Sequence, residues 1–134
     1  MVVDGQGGGI GATIIKRLRD AIDHDLEVLT FGTNSIATSR MLRAGANRGA
    51  TGENAIARTS PEVDVIIGPL AIIMANSMMG ELTPKTAEAI SSSKAHKILI
   101  PLTQENVRVV GSSSEPLPHL VDKAVDVIRE MINR

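Results

Sequence analysis

Five glycines crowd seven positions near the start of the chain, in the stretch Asp4-Gly5-Gln6-Gly7-Gly8-Gly9-Ile10-Gly11-Ala12. Residues of this type do chemistry through their backbone. Glycine reaches positive φ freely, and its missing side chain lets N–H groups close on an anion such as a phosphate. Gly7-x-Gly9-x-x-Ala12 fits the dinucleotide fingerprint G-x-G-x-x-G/A. With so many glycines one match or another is nearly guaranteed, so the spacing takes its weight from context. The apolar run Met1-Val2-Val3 leads into the loop and an amphipathic helix pattern leaves it. Strand, glycine turn and helix together set a helix N-terminus against an anionic group. The competing reading is a tight strand–helix turn that binds nothing.

Side chains able to move protons are sparse around this loop. Asp4 stands at its mouth, where it can serve as acid or base, or can bind backbone N–H groups and hold the turn. Glu53 and the three histidines, His24, His96 and His119, lie elsewhere, and the histidines have no ligand spacing. The chain contains no cysteine, which excludes disulfides, thiol chemistry and thiolate metal sites. No metal is expected. Phe31 is the only aromatic residue, and the net charge of −1 comes without a basic tract. Stacking platforms and phosphate-backbone charge are both missing, so no nucleic acid is expected as a partner. No apolar run reaches the roughly 18 residues of a membrane span, and no cationic signal peptide opens the chain. The expectation is a cytoplasmic protein without a membrane partner.

The elements that must position the loop can be taken in order. At 134 residues the chain is long enough for one domain with a substantial core. The first strand, from Met1 to Asp4, is short for a central strand, as though a few residues were missing before it. From Gly9 to Ile22 the apolar residues Ile10, Ile14, Ile15, Leu18, Ala21 and Ile22 make one helical stripe. Residues 26–31 (LEVLTF) read as a second strand. Gly32, Thr33, Asn34 and Ser35 close that strand and offer caps for a helix over residues 36–44, stopped by Gly45. A dinucleotide site places an acid at the end of its second strand for the ribose hydroxyls. This strand end has none. It offers the neutral donors Thr33, Asn34, Ser35 and Ser39, with Arg40 near, which suits a phosphorylated ribose or a different ligand. Capping alone would also account for Thr33 to Ser35.

Residues 46–54 are polar and glycine-rich, holding a short strand or loop before a helix that begins near Glu53 and ends by Pro61. Residues 63–67 (VDVII) read as a strand buried on both faces, terminated by Gly68-Pro69. Residues 70–79 (LAIIMANSMM) are apolar nearly all round, which predicts a buried helix or one that meets another subunit. A homo-oligomer formed through the segment from Leu70 to Glu81 is the resulting expectation. Thr83 and Pro84 start the next helix as N-cap and first position, and it runs to about Ser93. Residues 97–102 (KILIPL) form a strand whose Pro101 marks an end or an edge. The four residues from Thr103 to Asn106 are too few for a crossover, so residues 107–110 are expected to pair with it antiparallel. The last helix carries its apolar stripe from Leu117 to Ile132.

Strands alternating with helices predict an α/β fold in three layers, with a mostly parallel sheet and an antiparallel pair near the C-terminal end. Ligands of such sheets bind beyond the carboxyl ends of the strands. Those ends gather Gly5, Gln6, Gly7, Gly8, Gly9, Ile10 and Gly11 from the first strand. Gly32, Thr33, Asn34 and Ser35 follow the second, Gly68 and Pro69 the fourth, and Thr103-Gln104 the fifth. The expected ligand is NAD(P) or another nucleotide, its phosphate at the N-terminus of the first helix.

Four strings, DGQGGGIG, FGTNSIATSRMLRAGANRGATGEN, DVIIGPLAII and NSMMGELTPK, resemble an uncharacterised bacterial family, domain of unknown function 3842, over essentially the whole chain. The resemblance implies a small cytoplasmic Rossmann-like protein and implies no activity, substrate or catalytic residue. The chain departs from the family pattern at its start, where the family's first strand is a few residues longer. A narrower likeness to short-chain dehydrogenases is confined to the loop spacing Gly5-x-x-x-Gly9-Ile10-Gly11. Those enzymes use a Tyr-x-x-x-Lys pair, and this chain has no tyrosine, which excludes their mechanism. Three readings stand. The leading one is a nucleotide- or dinucleotide-binding domain acting as sensor, carrier or regulator. The others are a small enzyme on a phosphorylated substrate, using Asp4, Glu53 or a histidine, and an oligomeric structural module whose glycine loops bind nothing.

Overall fold

In strands buried on both faces, successive side chains must find two different cores. The computed structural model, which describes residues 1–22, 25–102, 105–112 and 114–134, shows this sorting directly. Val2 and Ile67 point into one cluster, with Ile98 and Ile100. Val3 and Ile66 point into the other, with Phe31. The strands are β1 (Val2–Asp4), β2 (Leu29–Gly32), β3 (Arg48–Thr51), β4 (Val65–Pro69) and β5 (His96–Ile100). All their pairings are parallel, in the order β3-β2-β1-β4-β5.

The helices are α1 (Gly9–Ala21), α2 (Ser35–Arg43), α3 (Glu53–Thr59), α4 (Pro84–Ser91) and α5 (Leu117–Ile132). Residues of α1, α2 and α5 fill the first cluster, through Ile14, Ile15, Leu18, Met41, Val121 and Val125. Residues of α3 and α4 fill the second, through Ile56, Ala87 and Ile90. The result is a three-layer α/β sandwich consistent with a Rossmann-like arrangement. The chain winds outward from β1 through β2 to β3, then returns past β1 to place β4 on its other side. The order therefore reverses between β1 and β4, which is where sheets of this kind open a crevice.

Local signals hold where chemistry fixes them. Asn34 caps α2 by accepting from the Ala37 N–H, and Thr83 caps α4 by accepting from Thr86, with Pro84 at the first position. Gly45, at φ 125°, follows the end of α2. Pro101 lies just beyond β5, an edge strand.

Two expectations are corrected. Residues 107–110 form no strand, and β5 pairs parallel with β4, so the expected antiparallel pair is not seen. The connection whose length suggested that pair includes Thr103 and Gln104, which lie outside the described residues. The segment over residues 70–79 is not an α-helix either. A single 3-10 turn, Leu70–Ile73, leads into a run of tight turns up to Glu81. Asn76, Met78 and Met79 take left-handed φ of 65°, 56° and 58°, which an α-helix cannot contain. Its apolar residues still find burial. Ala71, Ile72, Met78 and Leu82 join the second core of their own chain, while Ala75 is exposed and Met79 stands out at 97% exposure.

Candidate functional site

The glycine loop leaves β1 at Asp4, whose carboxylate is buried beneath it. Asp4 Oδ1 accepts the Gly5 N–H and Oδ2 the Gly11 N–H, both at 2.8 Å. Burial raises the carboxyl above its ordinary value, while hydrogen bonds from Gly11, Gly5 and Ile10 and the nearby Arg40 charge act the other way. The chain thus supplies its own anion to donors in the first turn of α1 that have no intrahelical partner. Asp4 holds the turn.

The loop glycines separate into two groups by what a Cβ would meet. At Gly5 it would collide with the Thr33 hydroxyl and the Met78 sulfur, and at Gly11 with the buried Met41 sulfur. Gly8 is the N-cap of α1 at φ 72°, with the Ala37 backbone 2.9 Å from where its Cβ would stand. These three are required by packing and by turn geometry. Gly7 and Gly9 are not. Each faces open space except for the Arg40 guanidinium, whose Nη1 lies 3.9 Å from a Cβ at Gly7 and 3.4 Å from one at Gly9. Arg40 Nη1 also donates to the Gly7 carbonyl at 3.3 Å. The N–H groups of Gly7 and Gly9 have no acceptor among the described residues.

On the other side of the loop, at the β1/β4 reversal, a cleft of about 580 Å³ is bounded by Asp4, Gln6, Ile10, Pro69, Met78 and Glu105. Gln6 turns into it from a left-handed conformation, φ 49°. Glu105 Oε1 accepts the Met78 N–H at 2.7 Å, fastening the turns of residues 74–81 along one wall. A second hollow of about 470 Å³ lies at the amino ends of the strands, among Met1, Leu26, Val63 and Met131 with Glu27, Glu62 and Asp64.

Glu81 has no counterpart in the sequence reading. Its side chain comes from the loop after β4, yet its Oε1 accepts from three donors at the ends of β1 and β2. They are Gln6 N–H at 2.9 Å, the Thr33 hydroxyl at 2.7 Å and Asn34 Nδ2 at 2.7 Å. Desolvation pushes the Glu81 carboxyl upward, and these three hydrogen bonds outweigh it, holding it below its ordinary value. No local pattern could have found this residue, because its partners are 47 to 75 positions away.

The remaining expected site residues divide clearly. Thr33 and Asn34 stand at the strand ends with their side chains engaged by Glu81, by the Gln6 carbonyl and by the α2 cap. Ser35 is exposed at the start of α2, and the cleft does not reach it. Gly32 and Gly68 serve the sheet. A Cβ would strike Thr38 at the first and the Val3 carbonyl at the second. Pro69 lines the cleft, and Thr103 and Gln104 lie outside the described residues. Glu53 accepts from the Thr83 hydroxyl at 2.6 Å and so ties α3 to the start of α4. His96 begins β5, at the amino end of the sheet, and His119 is exposed at the start of α5. His24 lies outside the described residues. Among the described residues no group of three or more His, Cys, Asp or Glu side chains could hold a metal ion, and no helix is long and apolar enough to cross a membrane.

No curated protein and no solved structure matches the chain. A family model described as domain of unknown function DUF3842 matches residues 1–133, and the chain belongs to that family.

Proposed function

We propose that the protein binds a nucleotide, or a dinucleotide of the NAD(P) kind, across the carboxyl ends of β1, β2 and β4. The observation that carries this reading is the sorting of the loop glycines. Gly5, Gly8 and Gly11 have structural reasons to lack a side chain, whereas Gly7 and Gly9 have none and face a guanidinium. An open backbone with unpaired N–H groups beside an arginine is the chemistry that receives a phosphate. The phosphate would lie on the Arg40 side of the loop rather than deep against α1, where Asp4 already occupies the donors. The cleft at the β1/β4 reversal takes the other end of the ligand. Its walls carry Asp4 and Glu105, with Gln6 and Asn76, among apolar side chains, which suits a neutral or cationic ring better than a second phosphate.

The reading of a small enzyme has less support, because Asp4 and Glu53 are engaged in holding turns and caps, and among the described residues no histidine lines the cleft. A nucleotide-dependent sensor, carrier or regulator requires only the binding site. The test is calorimetric titration of ADP and NAD⁺ into the wild type and Arg40→Ala. Arg40 is exposed, so its removal should leave the melting temperature unchanged. Loss of one charge-assisted phosphate contact should weaken binding by about tenfold or more. Equal affinity in both proteins, or no binding of either compound to the wild type, would overturn the proposal.

A further inference from the structure

We infer that Glu81 receives the vicinal hydroxyls of the ligand's ribose and thereby selects nucleotides whose ribose is unphosphorylated. This rests on the nucleotide reading above. The end of the second strand in such a sheet is where the ribose next to the phosphate arrives, and a carboxylate there accepts from both hydroxyls. In this chain β2 ends in neutral residues, and the carboxylate is delivered from elsewhere in the sequence.

The geometry argues for a fixed acceptor rather than a wandering surface acid. Three donors from two separate strand ends meet on Oε1, so the carboxylate is oriented before any ligand comes. Its Oε2 has no hydrogen-bond partner among the described residues, and the side chain is exposed. One oxygen is therefore anchored while the other faces solvent over the junction of β1 and β2. The cation that could have welcomed a ribose phosphate is directed elsewhere. Arg40 reaches the Gly7 carbonyl and the open face of Gly9, on the phosphate side of the loop. A 2′-phosphate would therefore meet Glu81 with Arg40 already engaged at the loop, and like charges at close range oppose binding.

The experiment compares three 5′-monophosphates by calorimetry: AMP, 2′-deoxy-AMP and adenosine 2′,5′-bisphosphate. The wild type should bind AMP most tightly, 2′-deoxy-AMP about tenfold more weakly for the lost hydrogen bond to a charged acceptor, and the bisphosphate at least as weakly. Glu81→Gln keeps an oxygen for the three anchoring donors and removes the charge, so the loop should stay in place. In that variant AMP should weaken and the bisphosphate should gain, narrowing the gap between them. If wild type binds all three equally, or prefers the bisphosphate, the inference fails and the phosphate site stands. An unchanged ratio in Glu81→Gln overturns it too. If none of the three binds, the nucleotide reading fails with it.

Discussion

Substituting Gly9 separates ligand approach from packing. A Cβ at Gly9 would meet nothing nearer than Arg40 Nη1 at 3.4 Å, the far end of an exposed and flexible side chain. Gaining a side chain in a helix contributes about 0.5–1 kcal/mol, part of which a β-branched residue gives back. Gly9→Val should therefore change stability by no more than about 0.5 kcal/mol. Gly11→Ala is different. Its Cβ would strike the Met41 sulfur and stand 3.0 Å from Asp4 Cβ, and Met41 is fully buried, so overpacking should cost about 1–3 kcal/mol. Gly8→Ala meets the Ala37 backbone from a φ of 72°, where a left-handed L-residue alone costs about 1–2 kcal/mol. In a domain of 134 residues each kcal/mol moves the melting temperature by about 4 °C. Melting followed by circular dichroism should thus leave Gly9→Val within about 2 °C of wild type and lower Gly8→Ala and Gly11→Ala by about 4 °C or more. Titration of ADP should show wild-type binding lost in Gly9→Val. A Gly9→Val protein that melts as low as Gly11→Ala, or that binds ADP as wild type does, would refute the assignment of Gly9 to the ligand.

Asp4→Asn should destabilise the protein at neutral pH by about 1–3 kcal/mol, because an amide cannot accept from both Gly5 and Gly11 and leaves one buried N–H facing a donor. The same variant should flatten part of the pH dependence. Asp4's folded pKa lies above the ordinary value of 3.8, so between the two values the native state holds a proton that the unfolded state has released. Its contribution to stability declines as pH rises from that value through the folded one, and denaturant melts of both proteins across that window should show the decline only in wild type. Glu81 has the opposite sign. Its folded pKa is depressed below 4.5, so its stabilisation is present above that value and is lost as pH falls through the folded one. Amide exchange at Asn76 and Leu82, which are hydrogen-bonded across this loop, should quicken in Glu81→Ala; unchanged rates would mean the carboxylate does not anchor the loop. Met79→Asn should stabilise by about 1 kcal/mol, since asparagine tolerates the left-handed φ of this exposed residue better than methionine does. A lower denaturation midpoint in that variant would show that the Met79 side chain contributes packing its exposure conceals.

Much of the fold was legible because it depends on short-range chemistry. The stripe of α1, the Asn34 and Thr83 caps, the Pro84 start and the apolar run of β4 are each decided by residues within a few positions of one another. The segment over residues 70–79 was misread for a physical reason. Hydrophobicity reports that a stretch must be buried, and periodicity has to report how; in a stretch apolar on nearly every side, periodicity is silent. Burial was correct for Ala71, Ile72 and Met78, and helix was not. The antiparallel pair rested on counting a short connection, which limits how far a chain can travel and does not require that the next residues pair at all.

The site shows the same division, with more consequence for function. Asp4 was visible as a residue at the loop's mouth with two possible roles, and its two hydrogen bonds to loop and helix N–H groups favour the structural one. That choice moves the expected phosphate away from the deep end of α1 and toward Gly7, Gly9 and Arg40, because a buried carboxylate already satisfies the donors there. Glu81 was invisible, since a carboxylate that serves one strand end from another strand's loop leaves no spacing to read. From sequence alone, the missing acid after β2, with Arg40 near, therefore suits a phosphorylated ribose or a different ligand. Once Glu81 is seen at the junction of β1 and β2, and Arg40 over the glycine loop, the charges are exchanged between the two positions. The same residues then argue for phosphate at the loop and free hydroxyls beside it.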